Sequence, residues 1–231
     1  MDIKKILGQD FERIRSFAHP CVYGPRVLQK VNIDIVFCID CTNGGALVRC
    51  MKSRIVEYVE AHNTKEIDVI VNWRARVVGY GDLECEEPIM NSNGFVSDVD
   101  SFAKQLADLE ELGYAGGDVP ESTLDAICYA AETSDWREKC HKVIIVLTDA
   151  PTKELHESTK GVFGITNVHE LMGYLAENHI KLCLWGPKDP VYESFKCIPK
   201  SEIIQLDDAT GALYSGKINL TKYLDLTESL D

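Results

Sequence analysis

Three short segments carry the oxygen-bearing side chains best suited to holding a cation. Asp40-Cys41-Thr42-Asn43-Gly44-Gly45 closes one apolar run and Thr148-Asp149-Ala150-Pro151 closes another. Gly116-Gly117-Asp118-Val119-Pro120-Glu121 lies between them in the chain. Carboxylates gathered from separate loops repel one another, and a hard divalent ion neutralises them most simply. Mg²⁺ takes octahedral oxygen coordination and keeps waters, so a few side-chain oxygens plus one outside carboxylate would complete its shell. Singly, these acids have plainer roles: Asp40 and Asp118 each suit a helix N-cap, and Thr42 suits either part. Asp40 and Asp149 at the ends of two apolar runs are harder to explain as caps.

For the three loops to meet, the runs before them must be neighbours in one sheet. Residues 33–39, 142–147, 180–185 and 202–206 are β-rich and almost continuously apolar, the pattern of parallel strands covered on both faces. Residues 67–80 predict a further strand or a short hairpin with a turn at Asn72-Trp73. Helical stripes alternate with these runs: Leu47, Met51, Ile55, Tyr58 and Val59; Val99, Phe102, Leu106 and Leu109; Leu124, Ile127, Cys128 and Ala131; Val168, Leu171, Met172 and Leu175. Pro120 is expected in the first turn of the third helix, and Asn167 as N-cap of the fourth. This alternation predicts an α/β fold, doubly wound, with a mostly parallel central sheet flanked by helices. Ligands of such sheets bind outside the carboxyl ends of the strands where strand order reverses, which is where the three loops would lie. The organisation expected is one domain over residues 31–231, preceded by a helical extension over residues 1–30.

In this order the segments resemble the von Willebrand factor A (vWA) family. Asp40 and Thr42 are similar to the Asp-x-Ser/Thr-x-Ser loop of its metal-ion-dependent adhesion site. Asp118 within Gly-Gly-Asp-x-Pro-Glu resembles the second loop, and Asp149 within Thr148-Asp149-Ala150-Pro151 the third-loop acid. Val77-Val78-Gly79-Tyr80-Gly81-Asp82 resembles the family's second-strand signature, and the likeness spans residues 33–206. It implies a Rossmann-like vWA fold with Asp40, Thr42, Asp118 and Asp149 around Mg²⁺, or Mn²⁺ or Ca²⁺, and with Asn43, Gly44 and Gly117 on the rim that meets a partner. Gly44 departs from the pattern by standing where a second hydroxyl belongs, so the resemblance implies a degenerate site that holds its ion weakly or together with an acidic ligand. The function implied is a protein-binding module that recognises an acidic group of its partner through the cation. Intracellular relatives work in multiprotein assemblies, which suggests an ATPase or kinase of the same system as partner.

Two other readings stand beside it. One is a vWA scaffold without metal, encouraged by Gly44. The other is a Mg²⁺-dependent phosphoryl hydrolase, which would want a second acid where Thr42 stands and a lysine at the carboxyl rim, whereas Lys142 begins a strand. The phosphate-loop glycine motifs and a Gly-x-Ser-x-Gly elbow are absent from the sequence, and the expectation is that the chain is not an enzyme.

Composition narrows the partners. With 37 acidic and 24 basic residues, formal net charge −13 and a pI near 4.9, the surface repels nucleic acid and anionic lipid. No apolar run approaches the ~18 residues of a membrane span. The N-terminus lacks the apolar core of a secretory signal, and nine cysteines, several inside apolar runs, suit buried thiols in a reducing cytoplasm. Cys38-Ile39-Asp40-Cys41 has C-x-x-C spacing but reads as core packing, and His141, His156, His169 and His179 read as surface or helix-end residues. Asp82 reads as a turn residue, with a place on the rim as its alternative, and Glu84, Glu86 and Glu87 read as a solvated acidic loop.

Overall fold

The computed structural model describes residues 29–42, 45–49, 69–89, 93–112, 114–116 and 119–205. Five strands, β1 (Gln29–Asp40), β2 (Val69–Tyr80), β3 (His141–Leu147), β4 (Ile180–Gly186) and β5 (Glu202–Gln205), form one sheet in the order β2-β1-β3-β4-β5. Every neighbouring pair is parallel. The described helices are α1 (Val99–Glu110), α2 (Thr123–Thr133), α3 (Glu157–Phe163), α4 (Val168–Glu177) and α5 (Pro190–Ser194), with a helical turn at residues 45–49. The N-terminal extension expected over residues 1–30 lies outside the described residues except for its last two, which begin β1.

Side-chain alternation along β1 builds two cores. Ile33, Ile35, Phe37, Ile39 and Cys41 face one way, against Phe102, Leu106 and Leu109 of α1 and against Leu47 and Val48. Val36 and Cys38 face the other way, against α2, Leu171 and Leu175 of α4, and Tyr192 of α5. A strand buried on both faces must be apolar at nearly every position, which is why β1 is unbroken apolar sequence from Ile35 to Ile39, whereas its first half alternates through Asn32 and Asp34.

One open alternative is settled, and two elements differ from expectation. Residues 69–80 form a single strand rather than a hairpin, because the whole of β2 is laddered to β1; even Asn72 is held, donating 2.8 Å to Asn32 Oδ1. Pro120 is not in the first turn of α2. Glu121 bonds across to the loop after β3, its N–H donating to Pro151 O at 2.9 Å and its carbonyl accepting from Lys153 N at 2.8 Å, so the helix starts only at Thr123. The helix α3, seven residues with Gly161 inside, carries too short a stripe to read from periodicity. Asn167 does cap α4, accepting from His169 N at 3.0 Å and Glu170 N at 3.1 Å.

At the amino end of the sheet, Asp34 is fully buried and clamped by two arginines. Arg74 Nε donates to it at 2.8 Å, and Arg137 reaches it at 2.6 Å while also donating to the Ile33 and Asn72 carbonyls. These bonds outweigh the burial that opposes charge, and hold its carboxyl at about 2.

Candidate functional site

The chain leaves β1 for β2 at one edge, then returns across β1 to β3 and winds outward in the opposite direction. The direction therefore reverses between β1 and β3, and the loops after those two strands diverge to leave a crevice. Asp40 ends β1 inside it, at 1% exposure, and Thr148 follows β3 with no exposure. Asp40 Oδ1 accepts from Thr42 N at 3.0 Å and from Thr42 Oγ1 at 2.7 Å, while Thr148 Oγ1 reaches Oδ2 at 3.0 Å. The aspartate thus does bond the start of the following helical segment, and it gathers two hydroxyls from different loops at the same time. Asp149 is exposed beside this group, and its charge raises Asp40.

Burial is nevertheless the largest influence on Asp40, and it pushes the carboxyl up to about 6. Glu121, which the sequence reading quoted only as the end of a motif, is the second buried acid here. It is 4% exposed, and its Oε2 has no hydrogen-bond partner among the described residues. Burial, then the charges of Asp40 and Asp82, push it up to about 8. Gly116 is what admits it: a Cβ there would stand 3.2 Å from both Glu121 Oε1 and Thr42 Cβ, and its φ of +70° suits glycine.

Asp82 does turn the chain, accepting from Glu84 N at 3.0 Å, but it is fully buried at the rim and paired with Lys153 Nζ at 2.9 Å. Lys153 also holds Glu84 at 2.6 Å. Glu87 is not simply solvated: its Oε1 accepts from Ala115 N at 2.9 Å and Gly116 N at 3.1 Å, and its Oε2 from Asp82 N at 3.1 Å. It ties the loop after β2 to the loop ahead of α2. An acid just after Pro120 and a lysine four residues past Asp149 were the only traces of this arrangement in the sequence.

Of the predicted site residues, Asp40, Thr42 and Asp149 come together, while Asp118, Asn43, Gly44 and Gly117 lie outside the described residues. Among the described residues, no three of the His, Cys, Asp and Glu side chains converge to hold an ion by themselves. The donors near Asp40 are hydroxyls and carboxylates, the hard oxygen set that Mg²⁺, Mn²⁺ and Ca²⁺ prefer, and the partnerless Glu121 Oε2 fits a cation. Cys41 contributes nothing: its thiol lies in the α1 core, donates to Ile39 O at 3.3 Å, and is pushed up to about 12. Cys38 lies in the opposite core, so the C-x-x-C spacing makes no site.

Parallel strands in this order, with helices on both faces and acids at the carboxyl rim, define a vWA-like α/β fold. Among solved structures, the chain is similar to proximal thread matrix protein 1 from the mussel byssus (TM-score 0.55, 15% identity, covering 82% of this chain and 45% of that one). It is also similar to the same mussel protein with a zinc-occupied MIDAS motif (0.53, 16%, 82% and 46%) and to the SpRpn10 VWA domain (0.53, 12%, 80% and 94%). This chain spans less than half the length of the mussel protein. No family model and no curated relative matches the sequence.

Proposed function

We propose that this chain is a protein-recognition module that engages an acidic group of its partner through a divalent cation at the rim of the sheet. The observation that carries the reading is the buried Asp40, joined to Thr42 and Thr148 beside the exposed Asp149 at the reversal of strand order. Asp40, Thr42, Asp118 and Asp149 would hold the ion, and Glu121 joins them on the strength of its partnerless oxygen. A bound cation would supply Lewis acidity toward a carboxylate of the partner, and Asp40 at the end of β1 and Asp149 after β3 would be among the residues holding it. Recognition rather than catalysis is the reading, with an ATPase or kinase of the same assembly as the partner class. The seven described cysteines are all free, which supports a reducing compartment such as the cytoplasm. No helix among the described residues is long and apolar enough to cross a membrane.

A metal-free scaffold is the second reading, favoured by the hydrogen bonds that already occupy both oxygens of Asp40 and by Gly44. Titration calorimetry with Mg²⁺ and Mn²⁺ on the wild type and Asp40→Ala separates the two. Saturable heat in the wild type alone is the expected result. No heat and no thermal shift with either ion in the wild type would leave the scaffold standing.

A further inference from the structure

The end of the sheet opposite the acidic rim holds a pocket of the other sign. His141 and Lys142 open β3, His179 and Lys181 flank the start of β4, and Lys200 lies in the loop before β5; all five line one cavity of about 270 Å³. No acid is among its described lining residues, in a chain of net charge −13. Its floor is apolar, formed by the buried Leu175, Ile180 and Ile198. At about 3.3 Å per residue, the length of β3 sets it roughly 20 Å from the Asp40 crevice.

Two of the lysines are already engaged by the local structure. Lys142 Nζ donates to the Asn178 carbonyl at 3.2 Å, at the carboxyl end of α4, and Lys181 Nζ pairs with Glu202 at 3.1 Å. An ammonium has three N–H donors, so each of these two keeps others for a ligand. The backbone adds an independent observation. His179 and Lys200, at φ 54° and 62°, are two of the three non-glycine residues with left-handed backbone among those described. Glycine adopts that conformation freely and is the usual residue just past a helix end, where His179 sits. Both turns accept strain at positions that present an imidazole or an ammonium to the same cavity.

The donors are ammoniums and imidazoles, with no guanidinium among the described lining. Point donors spread around a cavity suit the tetrahedral oxygens of a phosphate better than the flat edge of a carboxylate, which arginine grips in two-pronged fashion. The volume is just under the range of about 300–1,000 Å³ usual for small-molecule sites, so it admits one ring and not a nucleotide. We propose that this pocket binds a small phosphomonoester whose apolar body rests on Leu175, Ile180 and Ile198. The proposal is independent of the cation at the rim.

Phenyl phosphate titrated into the full chain, with EDTA present throughout, tests it by calorimetry and by amide NMR. Saturable one-to-one binding is expected, with shifts at His141, His179 and Lys200. Inorganic phosphate, lacking the ring, is expected to bind roughly tenfold more weakly, and phenol not at all. His179→Gly relieves the backbone and keeps or raises the Tm, yet weakens phenyl phosphate roughly tenfold, and Lys142→Met does likewise. Absence of saturable binding at millimolar phenyl phosphate would overturn the proposal. So would equal affinity for phenol or inorganic phosphate, or unchanged affinity in both variants.

Discussion

Asp40→Asn is expected to stabilise the folded chain while abolishing its response to Mg²⁺. Folding leaves Asp40 at 1% exposure and moves its carboxyl from an ordinary 3.8 up to about 6. A raised folded value means the folded state holds the proton more tightly. Stability is therefore highest at and below the unfolded value near 3.8, falls as the pH rises toward about 6, and is level beyond it. At about 1.4 kcal/mol per unit, the shift is a penalty of ~3 kcal/mol at neutral pH without a cation. Asparagine fits the same bonds. Its Oδ1 accepts from Thr42 N and Oγ1, and its Nδ2 donates to Thr148 Oγ1, whose hydrogen then turns to the Ala150 carbonyl at 3.2 Å. Burying the amide takes back about 1 kcal/mol. The remaining ~2 kcal/mol corresponds to a rise of about 4–8 °C in Tm for a domain of this size. Thermal unfolding followed by circular dichroism, in EDTA and in millimolar Mg²⁺, reads both halves. The wild type is expected to gain stability from Mg²⁺ and the variant to gain none. A variant that melts below the wild type in EDTA, or that gains as much from Mg²⁺, would refute the reasoning.

Asp34→Ala leaves Arg74 and Arg137 facing each other without their counter-ion, and a loss of about 3 kcal/mol is expected from urea unfolding. Asp34 is held at about 2, so its contribution is full above pH 3.8 and disappears as the pH falls through about 2; the variant's acid branch should be correspondingly flatter. Phe37→Ala empties a fully packed site whose ring lies 5.4 Å from that of Phe102, and about 3–5 kcal/mol should be lost in the same assay. Glu87→Ala cuts the tie between two loops of the rim, so amide exchange at residues 114–116 should speed up and Mg²⁺ affinity should fall, at a cost of about 1–3 kcal/mol in stability.

The sheet was legible because a strand covered on both faces has few places for a polar side chain. Residues 33–39, 142–147 and 180–185 are close to unbroken apolar runs, and all three are strands. Asn167 was legible as well, because a short amide before a helical stripe has one good use. What escaped the sequence depended on contacts distant along the chain. Pro120 fits a first helical turn locally, but pairing of Glu121 with Thr152 delays the helix. Asp82 and Glu87 look like turn and surface acids until Lys153 and the amides of Ala115 and Gly116 are set against them. The five basic residues of the far pocket are scattered over sixty positions, and the register of β3 with β4, Lys142 beside Ile180, is what assembles them.

Cys41 comes three positions after Cys38, an odd offset, and along a strand that sends the two sulfurs into opposite layers. An oxidant cannot join them unless β1 is first pulled out from between β2 and β3. Among the described cysteines, electrophiles will instead meet Cys85 and Cys197, both of which face solvent. A fluorophore or spin label attached there would report on the surface and leave both cores as they are.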